Sequence, residues 1–187
     1  MKVLITGAKG QLGNELCRVI KEGKSEIGVI PKEYENCHII ATDLAELDIV
    51  NFKEVETFVT TQKPDIIFNC AAMTNVDGCE TDYETAFKIN AIGVRNLSIA
   101  AQNSGAKLIH ISTDYVFSGD GTKPYVEWDL TNPQSIYGKS KRLGEEYAFA
   151  FCKKTFVART SWLYGYKGKN FVKTMRNLGK TKSEISV

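Results

Sequence analysis

A strand-length apolar run feeding straight into three evenly spaced glycines leaves the start of this chain few ways to fold. Residues 2–6 read Lys-Val-Leu-Ile-Thr, and Gly7, Gly10 and Gly13 follow at every third position. A helical pattern of Leu12, Leu16, Val19 and Ile20 opens directly behind them. Glycines let the backbone turn sharply and approach a pyrophosphate closely, while the free N–H groups of a helix start supply donors and partial positive charge. The strand before the turn and the helix after it give the motif its weight, and together they point to a bound phosphate group.

Further apolar runs at His38–Thr42, Asp65–Asn69, Lys107–Ser112 and Thr155–Thr160 alternate with segments of helical character. Phe52, Val55, Phe58 and Val59 recur at helical spacing, a long stretch runs from about Tyr83 to Asn103, and another from Gly138 to Cys152. Regular β-α alternation requires long crossovers, which predicts an α/β fold: a doubly wound parallel sheet of Rossmann type, with helices on both faces. Runs such as Ile66-Ile-Phe and Leu108-Ile-His-Ile are apolar almost throughout, as strands covered on both faces should be. Lys21–Asn36 reads as an inserted polar loop. A dinucleotide-binding domain is expected over residues 1–165. Residues 166–187 are expected to begin a C-terminal substrate-binding portion, with a helical pattern at Lys167–Lys180 and the start of a further strand at 184–187. Such an ending is expected of a fragment or a shortened form.

A length of 187 residues, 43% hydrophobic and 25% charged, suits one globular domain with a real core. A net charge of +2 without any basic block gives no call for nucleic acid or an anionic membrane. No apolar run approaches the roughly 20 residues that span a bilayer, and the N-terminus lacks the sections of a signal peptide. The cysteines are odd in number and form no Cys-x-x-Cys pair, so they read as reduced, mostly buried residues of a cytoplasmic protein. His38 and His110 lie within strand runs and read as structural; no metal site is expected.

In an open α/β sheet, ligands bind beyond the carboxyl ends of the strands. The second strand ends at Asp43, an acidic residue placed to hydrogen-bond ribose hydroxyls, with Asp48 and Ile49 close enough to edge an adenine. The third ends Asn69-Cys-Ala71-Ala72-Met-Thr74, where small residues permit close approach of a ligand. The fourth ends Ser112-Thr113-Asp114, a run of hydroxyls and a carboxylate at the crevice. The fifth ends Arg159-Thr-Ser-Trp162, where Trp162 suits a substrate pocket and ordinary aromatic packing equally well. Tyr137 and Lys141, four apart at a helix start, share one face. The ammonium is expected to lower the phenol pKa from its usual ~10, making Tyr137 an acid/base.

Taken together, Thr6–Gly13, Asn69–Ala72, Ser112–Phe117 and Tyr137–Lys141 resemble the extended short-chain dehydrogenase/reductase superfamily. The narrower likeness, to the dTDP-4-dehydrorhamnose reductase family, rests on Ser112–Phe117, on Val76-Asp-Gly-Cys-Glu80 and on Arg159-Thr-Ser-Trp-Leu-Tyr164. It runs over essentially the whole chain. That resemblance implies reduction of the C4 ketone of dTDP-4-dehydro-L-rhamnose by NADPH or NADH. It assigns Gly10, Gln11 and Leu12 to the pyrophosphate, Asp43, Asp48 and Ile49 to the adenosine, and Ala72 and Thr74 to the nicotinamide half. Thr113 and Asp114 would contact the sugar, Tyr137 would donate the proton, Lys141 would bind the nicotinamide ribose, and Trp162 would lie against the substrate. Asn90 matches an asparagine on the neighbouring helix. Glu15 is the one position matching a magnesium-linked homodimer known in some members. Asp43 would repel a phosphorylated ribose, whereas Lys9 is placed to meet a 2′-phosphate. Members extend well beyond this length, and that further portion supplies much of the nucleotide-sugar pocket. Epimerases and dehydratases of the superfamily, the NADP-binding regulatory subunit of methionine adenosyltransferase, and a dinucleotide-binding redox sensor share parts of the pattern.

Overall fold

The computed structural model describes residues 1–168 and 170–185. In chain order the elements are β1 (Lys2–Thr6), α1 (Gln11–Glu22), β2 (Lys24–Ser25), β3 (Gly28–Val29), β4 (His38–Ala41), α2 (Phe52–Gln62) and β5 (Ile66–Asn69). Then come α3 (Val76–Thr81), α4 (Tyr83–Phe87), α5 (Val94–Ser104), β6 (Lys107–Thr113), α6 (Ile136–Phe151), β7 (Thr155–Thr160) and α7 (Phe171–Leu178). Five strands form one parallel sheet in the order β4-β1-β5-β6-β7. The polar insert after α1 holds a two-stranded antiparallel ribbon, β2-β3, and a 3₁₀ turn at Lys32–Tyr34.

Register explains the two cores. Leu4, Ile67 and Leu108 stand side by side on β1, β5 and β6 and are fully buried against Val55 and Val59 of α2, Leu97 and Ala101 of α5, and Ala148 of α6. Each such side chain contributes roughly 2 kcal/mol by leaving water. Val3 and Ile5 point the other way, onto Leu16, Cys17 and Ile20 of α1. Strand side chains alternate, so two residues further on the same row becomes Thr6 and Asn69, the last residues of β1 and β5, and His110, midway along the longer β6.

The helical stretch expected from about Tyr83 to Asn103 runs unbroken from Tyr83 to Ser104, with the short α3 before it. Asn75 caps α3 by accepting the Gly78 N–H at 3.1 Å, and Asp82 caps α4 by accepting the Thr85 N–H at 3.2 Å. Between α4 and α5 the backbone widens into a π-helical segment at Lys88–Gly93. Its central residue, Asn90, is buried and accepts from Met73 N–H at 2.9 Å while donating to Met73 O and Ser140 Oγ at 3.0 Å each. The wide turn thus ties α6 to the loop after β5. Helix α6 begins at Ile136, two residues earlier than the sequence pattern predicts, because Ser135 caps it by accepting the Gly138 N–H at 3.1 Å. Of the strand expected at 184–187, Glu184 and Ile185 are irregular, and residues 186 and 187 lie outside the described residues. Helix α7 matches the helical pattern expected after β7.

Candidate active site

The glycine turn leaves β1 at Thr6 and enters α1 at Gln11, with Gly10 as the N-cap in extended conformation and no side chain capping the helix. Asn14 N–H is the first in the helix to find an intrahelical acceptor, Gly10 O at 3.0 Å. The N–H groups of Gln11, Leu12 and Gly13 are therefore left for a ligand, and no acidic residue in the first turn competes for the site. Gly7 takes a left-handed φ of 64°. A Cβ there would meet Ala71 N at 2.7 Å, and one on Gly13 would meet Gly7 O at 2.3 Å. The turn is folded so tightly on the β5 tip that only glycine fits, which is the cradle a pyrophosphate requires.

Two cavities flank this turn and share Gly7, Gly10, Cys70 and Ala72, so they form one groove across the strand tips. The first, of 410 Å³, is lined by Asp43, Asp48, Ile49 and Ala71. The second, of 400 Å³, brings Gln11, Leu12, Gly13 and Thr74 together with Thr113, Asp114, Tyr137, Lys141 and Trp162. Asn90 lies outside both, bound to the Met73 backbone. Asp43 accepts from Lys9 N–H at 3.0 Å and Leu44 N–H at 2.9 Å, which fixes its carboxylate at the mouth of the first cavity. Lys9, offered by the sequence to a 2′-phosphate, lines the first cavity and forms an exposed pair with Glu46 at 2.8 Å. Glu15 is engaged by Arg18 Nε at 3.1 Å, and among the described residues no group of three or more His, Cys, Asp or Glu is placed to hold a metal ion.

In the second cavity, Thr113 Oγ1 donates to Asp114 Oδ1 at 3.1 Å and accepts from Tyr115 N–H at 3.3 Å. The Tyr137 ring stands edge-on to Tyr115 with centroids 5.5 Å apart. Trp162 occupies a left-handed φ of 52°, a costly conformation for a bulky residue, and rests edge-on against Phe171 at 5.0 Å. Lys141 is 2% exposed, and its Nζ donates to Ile111 O at 2.6 Å.

One expectation is corrected here. Lys141 does not lower the Tyr137 pKa: burial holds the phenol above its ordinary value, with the Thr113 hydroxyl pulling the other way and Cys79, Asp114 and Tyr115 adding to the rise. The ammonium's own hydrogen bond goes to the β6 backbone rather than to the phenol, and desolvation is the largest influence on that phenol. Burial also brings Lys141 down from 10.5 to about 8, against the opposing pull of Glu145. Because the unfolded chain keeps its proton up to a higher pH, the folded state carries the cost of a buried ammonium in full below pH 8 and sheds it between 8 and 10.5. Lys141→Met is accordingly expected to raise stability by roughly 1–3 kcal/mol at neutral pH. The gain should shrink as pH rises past the Lys141 value. Urea unfolding of both proteins at pH 7 and pH 9.5 checks this, and a variant less stable at pH 7 contradicts it.

Sequence reasoning missed the polar row behind the site. Thr6 Oγ1 donates to Asn69 Oδ1 at 2.7 Å, and Asn69 Nδ2 lies 3.1 Å from His110 Nδ1. The amide donates, so Nδ1 accepts and the neutral ring carries its proton on Nε2. Burial keeps His110 uncharged, well below its usual range. Both His110 Nε2 and Ser112 Oγ are buried without a partner among the described residues. The signal available in the sequence was a polar residue in each of three apolar runs, at the end of the first two and inside the third.

Fold and groove together define a dinucleotide-binding α/β domain of the extended short-chain dehydrogenase/reductase type. The sequence pattern of a family described as "RmlD substrate binding domain" matches residues 1–187, and the chain belongs to that family. Among curated relatives, the spore coat polysaccharide biosynthesis protein SpsK of Bacillus subtilis is 45% identical over 186 residues, covering 100% of this chain and 62% of its own. The dTDP-4-dehydrorhamnose reductase of Escherichia coli is 40% identical over 187 residues, covering 100% of this chain and 60% of its own. The crystal structure of dTDP-4-dehydrorhamnose reductase from Bacillus anthracis in complex with NADP superposes with a TM-score of 0.87 at 47% identity, covering 100% of this chain and 62% of that one. The chain thus spans about three fifths of the length of the relatives it matches.

Proposed function

We propose that this chain binds NADPH or NADH along the groove, and that its residues serve reduction of the C4 ketone of dTDP-4-dehydro-L-rhamnose. The product is dTDP-L-rhamnose, a precursor of cell-surface polysaccharide. The observation that carries the reading is the convergence of Thr113, Tyr137 and Lys141 on one cavity that opens onto the glycine turn. Relatives matching the whole chain bear the name of that reductase, and the Bacillus anthracis protein holds NADP. Residues 1–165 are proposed as the cofactor-binding domain and 166–187 as the start of the substrate-binding portion. The free cysteines and a biosynthetic role using reduced nicotinamide support a cytoplasmic location. Among the described residues, no helix is long and apolar enough to cross a membrane.

The bound nicotinamide supplies the reducing equivalent that adds to the ketone carbon. The chain's own residues do the rest. Gln11, Leu12 and Gly13 N–H groups hold the pyrophosphate at the start of α1. Asp43 accepts from ribose hydroxyls, with Asp48 and Ile49 beside the adenine, while Ala71, Ala72 and Thr74 leave room for the nicotinamide half. Lys141 holds the nicotinamide ribose. Thr113 turns its hydroxyl from Asp114 to the ketone oxygen, Asp114 takes a sugar hydroxyl, and Trp162 lies against the sugar. As charge builds on that oxygen, Thr113 stabilises it and Tyr137 gives up its proton. A phenol kept protonated by burial is suited to that step, because the alkoxide it meets is far more basic.

The test follows nicotinamide absorbance with this chain, NADPH and dTDP-4-dehydro-L-rhamnose, alongside a titration of NADPH binding. Stoichiometric loss of NADPH is expected; an epimerase or dehydratase would consume none. Binding without consumption would overturn the reductase reading of this chain and leave a cofactor-binding protein.

A further inference from the structure

Lys141 presents a problem that the groove alone does not solve. It is almost fully buried, its Nζ has a carbonyl as partner, and no carboxylate lies within ion-pair distance among the described residues. An ammonium so placed loses its proton unless something nearby supplies negative potential. Along α6, Tyr137, Lys141 and Glu145 follow at intervals of four and lie on one helical face. Glu145 is fully buried, and both of its oxygens are taken: Oε1 accepts from Arg159 Nε at 2.9 Å and Oε2 from Arg159 Nη2 at 2.7 Å. Arg159, on β7, is itself seated over the Phe117 ring at 4.9 Å.

The pair is asymmetric. The Glu145 side chain is 1% exposed and the Arg159 side chain 24%, so water screens the guanidinium and leaves the carboxylate's field to act inward. We propose that Glu145 is a positioning residue for the cofactor site: its buried carboxylate, one helical turn beyond Lys141 on the same face, keeps that ammonium charged beneath the groove. This deepens the function proposed above and rests on Lys141 serving the nicotinamide ribose. The Asp114 carboxylate, which lines the same cavity, accepts from the Thr113 hydroxyl at 3.1 Å, and the remaining titratable groups around Lys141 are uncharged. His110 on β6 is held neutral, Tyr137 is held protonated, and the Cys70 thiol beyond β5 is pushed up to about 12.

The experiment is NADPH binding between pH 7 and 10 by nicotinamide fluorescence, for the wild-type chain, Glu145→Gln, Arg159→Lys and Lys141→Met. Wild-type affinity is expected to fall several-fold through a midpoint near the Lys141 value of about 8. In Glu145→Gln that midpoint should drop by about one pH unit. Arg159→Lys breaks the two-pronged pairing but keeps the charge on Glu145, so its thermal midpoint should fall while its binding midpoint stays put. A merely structural ion pair would move both variants alike. An unshifted midpoint in Glu145→Gln, or an equal shift in Arg159→Lys, overturns the proposal. If Glu145→Gln does not fold, Arg159→Lys still decides: a displaced midpoint sinks the idea and an unmoved one supports it. Failure of the underlying reading looks different, because Lys141→Met would then bind NADPH as tightly as wild type at every pH.

Discussion

Tyr137→Phe is expected to lower turnover of the 4-keto sugar by about 10²–10⁴-fold while leaving NADPH affinity within a few-fold. The substitution removes one oxygen and keeps the ring, so the edge-on contact with Tyr115 and the burial of the α6 start survive. What disappears is the proton donor beside Thr113. Without it, the developing alkoxide is left with the Thr113 hydroxyl alone, and water must deliver the proton in place of a positioned donor. Steady-state rates and a fluorescence titration on the same preparation separate the two effects. Turnover within ten-fold of wild type would remove Tyr137 from the role assigned to it.

Gly13→Ala should act on the other half of the groove. Its Cβ would fall 2.3 Å from Gly7 O and 2.8 Å from Ala8 Cα, and both obstacles are backbone that no rotamer change can clear. The glycine turn or the start of α1 must move, carrying the Gln11 and Leu12 N–H groups off the pyrophosphate. NADPH affinity is expected to drop about 100-fold, equivalent to roughly 3 kcal/mol of binding. Denaturant unfolding should register an overpacking cost of about 1–3 kcal/mol. A variant that binds NADPH as tightly as wild type would mean that the turn is not the phosphate cradle.

The parts of this architecture that were legible in the sequence are those written by local pattern. Strands covered on both faces, such as Ile66–Asn69 and Lys107–Thr113, appear as short, mostly apolar runs because burying a polar side chain there is costly unless it finds a partner. The glycine turn is visible because its constraint is local, and the groove-lining residues cluster at strand ends because a parallel sheet gathers those ends on one edge. What escaped the sequence depends on residues brought together from afar. Thr6, Asn69 and His110 become neighbours through strand register, and Glu145 meets Arg159 only when α6 lies on β7. The π-helical widening at Lys88–Gly93 follows from Asn90 binding the Met73 backbone, which helical periodicity does not encode. The Tyr137 shift went the wrong way for the same reason. Spacing reveals that an ammonium is near, but burial, which only the packed structure fixes, decides the sign.

The central claim, that one groove joins reduced nicotinamide to a C4 ketone, is tested most directly by an isotope. The chain is incubated with dTDP-4-dehydro-L-rhamnose and NADPH deuterated at nicotinamide C4, each stereochemical form in turn, and the product is examined by NMR and mass spectrometry. The account predicts dTDP-L-rhamnose carrying deuterium at sugar C4 from one form and none from the other. Product without label from either form, or label returned to the cofactor with no net reduction, would contradict it.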